Sequence, residues 1–260
     1  MADKLCIALL GMGRLGRSLQ KLIEDAEGLE ALPWRRDEAI PTHADVYWIC
    51  VNDSSVSDVA KKIPLGKIVL HASGALPVEV LRPHRPAGSL HPLQSFPGPE
   101  ISLPPTAGLP AAISGDPEAT DAAQTIAKAL GFAPFSVPGD RRAYHAAAVI
   151  AGNFGTTLLA EASRLLTHAG VDPTIAPSIL APLAISSVQQ AMKLGPAQTL
   201  TGPFARGDAE TIATHLQVLD EKDPQLGEIY RVLGRASLRL LKENKRLNTE
   251  ELDALFRLLG

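Results

Sequence analysis

Short apolar runs alternate with amphipathic stretches through the first half of the chain. Residues 4–10 form a run of strand length, and residues 17–26 then repeat their apolar positions at helical spacing. Further apolar runs fall at 28–34, 46–51, 67–70, 109–113 and 132–137, and another helical pattern covers 117–130. Strands that alternate with helices are typical of a parallel sheet. The pattern therefore predicts an α/β domain with a mostly parallel sheet over residues 1–138.

Helical patterns alone continue after a Pro-Gly-Asp turn at 138–140. One long helix is predicted over 141–169, and its apolar segment 146–151 is expected to be buried on most faces. Shorter helices are predicted at 173–180, 184–194, 208–219, 225–244 and 249–258. The second half is therefore predicted to be a separate all-α domain, residues 139–260.

Composition and charge narrow the function classes without choosing among them. The 260 residues are 45% hydrophobic and 20% charged, as in ordinary globular proteins, and the net charge of −3 lacks the basic character of nucleic-acid binders. The longest apolar stretch, 146–160, is too short to span a bilayer, and no signal peptide is visible, so a cytoplasmic protein is expected. The histidines and cysteines do not fall at metal-ligand spacings, so no metal is expected.

The strongest motif directly follows the first predicted strand. Residues 11–16 form a G-x-G-x-x-G motif between a strand and a helix. The first glycine permits a tight turn, the second lets backbone N–H groups approach a pyrophosphate, and the third lets helix and strand pack closely. Glycine-rich turns are common, but this context favours a dinucleotide cradle of Rossmann type. The predicted contacts are Gly11, Met12, Gly13, Arg14, Leu15 and Gly16.

Two arginines end the second predicted strand and indicate which dinucleotide is bound. At this point of the fold an acidic residue binds the free 2′-hydroxyl of NAD, whereas arginine accommodates the 2′-phosphate of NADP. Arg35 and Arg36 occupy it, and Asp37 comes only after them, so NADP(H) is the predicted cofactor. The alternative is a solvated basic turn.

Polar residues after the next strands are further candidates, because strand ends in a parallel sheet line the ligand crevice. Val51, Asn52 and Asp53 are predicted to contact the cofactor, although Asp53 could equally be a helix cap. Ser73 follows another strand. His91 is held in an extended conformation by Pro92 and is a candidate proton donor, or simply a histidine that bonds a loop.

The helical half contributes four more candidates. His145 and Asn153 fall on neighbouring rows of the long helix, where a buried asparagine needs hydrogen-bond partners. Thr201 and Arg206 lie in a polar turn, and Arg206 could hold a substrate carboxylate. The alternative for that turn is an Arg206–Asp208 contact between helices.

Five motifs together resemble a group of bacterial Rossmann-like NADP oxidoreductases with a helical C-terminal domain. They are GMGRLG at 11–16, HASGA at 71–75, GSLHPLQSFP at 88–97, YHAAAVIAGNF at 144–154 and LTGPFARGD at 200–208. Some members are linked to ketopantoate reduction, and the group resembles the wider 6-phosphogluconate dehydrogenase superfamily. The resemblance covers nearly the whole chain. It implies NADP(H) binding in the N-terminal domain and a homodimer formed through the helical domain.

One position departs from related hydroxyacid dehydrogenases. Those enzymes place a catalytic lysine four residues before an asparagine on the long helix, and here that position is Val149. Prephenate dehydrogenases instead use a histidine in an H-P motif and a serine after an earlier strand. His91, Pro92 and Ser73 resemble that arrangement, which implies His91 as the general acid, with His145 as the alternative.

The hypothesised reaction is hydride transfer between NADP(H) and a small 2-oxo or hydroxy acid of the ketopantoate kind. A prephenate-type dehydrogenase and a pyrroline-type imine reductase are the alternative enzymes. A redox sensor that binds NADP(H) without turnover is the alternative outside enzymes. The expected partners are a small acid substrate and a second copy of the chain, with neither nucleic acid nor membrane.

Overall fold

A seven-stranded sheet occupies the first half of the computed structural model, which describes residues 4–101 and 105–260. Its strands are β1 (Leu5–Leu10), β2 (Leu29–Trp34), β3 (Val46–Ile49), β4 (Ile68–His71), β5 (Ala87–Pro92), β6 (Pro110–Gly115) and β7 (Ala133–Ser136). The order is β2-β1-β3-β4-β5-β6-β7, and every neighbouring pair is parallel except β5 and β6. The predicted mostly parallel α/β sheet is confirmed.

The central strands are apolar because both faces of the sheet are covered. All four residues of β3 are buried, and Trp48 at 0% exposure donates its indole N–H to the carbonyl of Leu90 on β5. One apolar cluster packs α1 (Arg14–Glu24) and α3 (Pro117–Ala129) on the sheet, and a second packs α2 (Val56–Ala60) on it. A strand buried on both faces needs this continuous apolar composition.

The remaining described elements are helices. They are α4 (Arg141–Ala151), α5 (Asn153–His168), α6 (Ala176–Leu194), α7 (Pro196–Thr199), α8 (Gly202–Arg206), α9 (Ala209–Lys222), α10 (Pro224–Glu243) and α11 (Thr249–Leu259). A third apolar cluster is formed by α9, α10 and α11, with Leu238 and Leu255 at 0% exposure. The all-α character predicted for the second half is confirmed.

Three helix predictions were wrong in detail. The single helix predicted over 141–169 is interrupted at Gly152, which separates α4 from α5. The two helices predicted at 173–180 and 184–194 are one helix, α6, which continues through Pro182. Residues 146–151 are not buried in the single chain, since Ile150 is 61% exposed.

The chain divides into two compact units, Met1–Phe154 and Gly155–Gly260. The first unit includes α4 because Arg141 donates to the Ser73 carbonyl oxygen at 2.8 Å and Tyr144 bonds His91 at 2.7 Å. The predicted boundary between a cofactor domain and a helical domain, after residue 138, stays a prediction. The division into compact units falls later in the chain, between residues 154 and 155.

Two searches of the described residues bear on other classes of protein. None of the helices in those ranges combines the length and apolarity needed to cross a bilayer. Within the same ranges, no three histidine, cysteine or acidic side chains come together as a possible metal site.

Candidate functional site

The glycine loop forms an open cradle at the start of α1. A Cβ on Gly16 would lie 1.9 Å from the carbonyl oxygen of Gly11, so only glycine lets this helix approach the turn after β1 so closely. Gly11 itself has φ +120°, a conformation that favours glycine. A Cβ on Gly13, by contrast, would meet nothing within 4 Å, so space is open in front of this backbone.

The N-terminus of α1 suits an anion. Gly13 is the N-cap residue and supplies no side-chain cap, and the first turn contains no acidic residue. The first N–H groups of this 11-residue helix are therefore not satisfied by a capping side chain. Their partial positive charge favours a phosphate group at this position.

A cleft of about 570 Å³ extends from this cradle. Seven predicted cofactor contacts line it: Gly11, Met12, Gly13, Arg35, Arg36, Val51 and Asn52. Arg14, Leu15, Gly16 and Asp53 are not among the lining residues, and Asp53 begins a short 3₁₀ helix, Asp53–Ser55. Sequence reasoning missed Arg17 and Trp34, which line the cleft beside the predicted residues.

A second cavity, of about 390 Å³, brings three predicted site residues together. His91, His145 and Asn153 line it, with Leu93, Gln94, Ser95, Ala148, Val149, Ala151 and Gly152. The rings of His91 and His145 are nearly perpendicular, with centroids 6.2 Å apart. Val149, where related dehydrogenases have lysine, lies on the wall of this cavity.

His91 is neutral at pH 7. Burial lowers its pKa to about 4, and the positive charge of Arg141 and the neighbouring His145 act in the same direction. Its Nδ1 lies 2.7 Å from the hydroxyl oxygen of Tyr144 on α4. A neutral imidazole donates at one nitrogen and accepts at the other, so this bond decides which nitrogen carries the proton.

Ser73 occupies a turn and is not among the residues that line the cavity of His91. Its hydroxyl oxygen accepts the backbone N–H groups of Ala75 and Leu76 at 3.2 and 3.0 Å, which stabilises the turn after β4. The next residue, Gly74, lies against both histidines, because a Cβ there would be 2.7 Å from His145 and 3.0 Å from His91.

A buried arginine lies beside these residues. Arg141 is 9% exposed and donates to the carbonyl oxygen of Ser73 at 2.8 Å and to the hydroxyl oxygen of Ser114 at 3.1 Å. No acidic side chain among the described residues forms an ion pair with it, and burial lowers its pKa. Burial lowers the pKa of His71, at the end of β4, to about 3, and the charge of Arg141 acts in the same direction.

Thr201 and Arg206 lie in the second unit. Thr201 is the N-cap residue of α8 and forms no side-chain cap. Arg206 approaches the Asp208 carboxylate at 3.6 Å, and Asp208 also accepts the backbone N–H of Thr211 as the cap of α9. The contact left open as an alternative for this turn is therefore present.

Sequence reasoning missed three side chains of this region. Arg141 and Tyr144 stand at the start of the helical half, and only the packing of α4 against β5 pairs Tyr144 with His91. Gln94 lines the cavity, and neither polar atom of its amide has a hydrogen-bond partner among the described residues. The motif GSLHPLQSFP contains Gln94 and could have marked it as a site residue, but the motif does not indicate the direction of the amide.

Known structures share this fold. A putative NADP oxidoreductase from Bacteroides fragilis is 24% identical, with a TM-score of 0.73 over 90% of this chain and 98% of that one. A protein from Thermotoga maritima is 23% identical, with a TM-score of 0.71 over 92% and 99%. A pyrroline carboxylate reductase from Plasmodium falciparum, solved with NADP bound, is 10% identical, with a TM-score of 0.61 over 99% of both chains. At these identities the likeness establishes the fold.

One family model matches part of the chain. Residues 109–237 match the family described as a domain of unknown function, DUF2520. No curated protein matches the chain. The resemblance to Rossmann-like oxidoreductases with a helical C-terminal part is thus confirmed in fold.

Proposed function

We propose that the chain binds NADP(H) and transfers a hydride between the nicotinamide and a small oxo or hydroxy acid. The observation that carries the proposal is the cleft that joins the open backbone of Gly13 to Arg35 and Arg36. A pyrophosphate fits the helix N-terminus, and a 2′-phosphate fits two guanidinium groups. The pyrroline carboxylate reductase that shares the fold was solved with NADP bound.

The residues of the second cavity would act on the substrate. NADPH supplies a hydride when bound, and the protein supplies binding, orientation and proton transfer. His91 and His145 are the candidates to exchange a proton with the substrate oxygen, and Asn153 to hold the substrate. Ser73 stays a prediction as a catalytic residue that holds the same substrate atom as His91. Thr201 and Arg206 stay predictions as substrate contacts, as does the cytoplasmic location.

A substrate screen tests the reaction. NADPH consumption is measured over small 2-oxo acids, beginning with ketopantoate, and over cyclic imines, because an imine substrate would match the pyrroline carboxylate reductase fold. Turnover of an oxo acid supports the proposal, and turnover of imines alone moves the assignment to an imine reductase. Tight NADPH binding without turnover on any of them would support a redox sensor.

Removing the two cleft arginines is expected to abolish the preference for NADPH. In Arg35→Ala/Arg36→Ala the affinity for NADPH should fall roughly 10–100-fold, because charge-assisted hydrogen bonding to the 2′-phosphate worth ~1.5–3 kcal/mol is lost. The affinity for NADH should change little. Fluorescence titration with both nucleotides measures this, with Arg85→Ala, an exposed arginine that does not line the cleft, as the matched control. An unchanged preference would contradict the 2′-phosphate assignment.

We propose that a second copy of the chain covers the apolar surface of α6. Ala176 is the one residue of this 19-residue helix that is buried, and Leu183 and Met192 are 66% and 81% exposed. A helix with apolar residues on all sides is normally buried. An exposed apolar surface of this kind is typical of an interface. The family resemblance predicts a homodimer through the helical domain, so the occupant that we propose is another copy of the chain.

Analytical ultracentrifugation is expected to give twice the mass of the chain. Ile179→Asp with Leu183→Asp, both on exposed positions of α6, should give the monomer mass, since two carboxylates would be buried without partners in the dimer. Leu65→Asp, at an exposed apolar residue of the first unit, is the control and should remain dimeric. A monomeric wild type at micromolar concentration would contradict the proposal.

A further inference from the structure

As the proposed general acid, His91 donates a proton to the substrate oxygen and must then regain one. Because it is neutral at pH 7, it carries one proton on its ring. A neutral imidazole that lost this proton alone would become an anion, which is an unfavourable product. A second proton donor at the other ring nitrogen removes this difficulty, and Tyr144 lies at that nitrogen.

Tyr144 and His91 form a hydrogen bond whose direction depends on the tautomer of His91. The Tyr144 hydroxyl oxygen lies 2.7 Å from His91 Nδ1, and the two rings meet edge to face with centroids 5.6 Å apart. Among the described residues, no other acceptor bonds this hydroxyl. Burial raises the pKa of Tyr144, so the hydroxyl is protonated at pH 7 and can donate to Nδ1. With the hydroxyl as donor, the proton of His91 is on Nε2.

Nε2 is the ring nitrogen of His91 that Tyr144 does not occupy. It makes no hydrogen bond with any residue that the structure describes, and an added Cβ on Gly74 would be 3.0 Å from it. His91 lines the cavity that also contains His145 and Asn153. No described residue therefore bonds Nε2, while Tyr144 occupies Nδ1.

Arg141 favours a negative charge on Tyr144. Its guanidinium carbon lies 6.0 Å from the centre of the Tyr144 ring, one helical turn away on α4. Two neutral oxygens hold this guanidinium, and its buried charge has no acidic partner among the described residues. Since a buried charge without a counter-ion is unfavourable, a phenolate beside Arg141 would be stabilised.

We propose that Tyr144 is a positioning and proton-relay residue behind His91. The inference rests on the proposed reduction, in which the substrate oxygen becomes negative as the hydride arrives. The Nε2–H bond of His91 breaks and an O–H bond forms on that oxygen, while the O–H bond of Tyr144 breaks and an Nδ1–H bond forms. His91 stays neutral, and the negative charge moves from the substrate oxygen to the Tyr144 oxygen beside Arg141. Solvent then returns a proton to Tyr144.

The test is Tyr144→Phe, which removes the hydroxyl and keeps the ring that packs on Phe135. In the protein without ligand, ¹⁵N NMR should show His91 protonated at Nε2 in the wild type and a mixture of both tautomers in the variant. The turnover number kcat should fall roughly 10–100-fold, by analogy with metal-binding histidines that lose their outer hydrogen-bond partner. The dependence of wild-type kcat on the fraction of D₂O in the solvent should show that two protons move in the same step.

The chain contains its own matched control. Tyr230 bonds Nδ1 of His215 at 2.9 Å in the second unit, so Tyr230→Phe removes an equivalent hydroxyl elsewhere. It should leave kcat and the His91 signal unchanged. An Nε2–H tautomer that persists in Tyr144→Phe, or a kcat within twofold of wild type, would overturn the relay. If no substrate of the screen is reduced, the proposed function fails, and the NMR measurement still decides whether Tyr144 sets the tautomer.

Discussion

His91→Ala is expected to lower kcat on the reduced substrate by ~10²–10⁴-fold, the contribution of a general acid. The affinity for NADPH should change little, because His91 does not line the cleft that contains Gly13 and Arg35. Separating kcat from cofactor affinity thus distinguishes a chemical role from a binding role. Steady-state kinetics on the substrate found in the screen, with NADPH titrated in parallel, makes the measurement.

His43→Ala is a suitable control for this variant, because His43 is an exposed histidine of the same unit. It should retain wild-type kcat. If His91→Ala also kept near-full turnover, proton transfer would have to be assigned to His145, whose ring faces the same cavity. The relay through Tyr144 would then fail as well, since it acts only through His91.

Two alanine substitutions in the glycine loop are expected to weaken NADPH binding for different reasons. Gly16→Ala should destabilise the first unit by about 3 kcal/mol or more, because the new Cβ would be 1.9 Å from a backbone oxygen and overpacking of this kind costs ~1–3 kcal/mol or more. The gain of ~1 kcal/mol from replacing a helical glycine does not offset that clash. NADPH binding should be lost with the local structure.

Gly13→Ala should instead leave the free energy of unfolding within ~0.5 kcal/mol of wild type, as for a surface change. Its Cβ would meet no protein atom within 4 Å, and its φ of −74° is ordinary for alanine. The methyl group would occupy the space where a phosphate approaches, so the Kd for NADPH should rise by about tenfold, or ~1.4 kcal/mol, or more.

Urea unfolding and fluorescence titration of both glycine variants provide the comparison. A Gly13→Ala protein that binds NADPH as wild type does would mean that the phosphate does not approach this backbone. A Gly16→Ala protein as stable as wild type would mean that α1 and the turn after β1 can separate at little cost. Either result would remove the structural basis of the proposed cofactor site.

Strand and helix types in the first half were predictable because local composition and tertiary environment agree there. The fully apolar β3 is buried on both faces, and the glycine spacing at 11–16 matches the steric needs seen at Gly11 and Gly16. In the second half, local composition and tertiary environment agree less. Gly152 interrupts a pattern that reads as one continuous helix, and Pro182 does not end α6 although prolines usually end helices.

The sequence by itself determined the α/β order, the glycine cradle and the arginines after β2, because each depends on neighbours within a few positions. It also singled out His91, as a histidine held before a proline. Only the tertiary structure decided the rest of that site. Tyr144 is 53 positions from His91, and Arg141 is 68 positions from Ser73, so no local pattern pairs them. Their proximity and the neutral state of His91 follow from the packing of α4 on the ends of the strands, as does the lack of an acidic partner for Arg141 among the described residues.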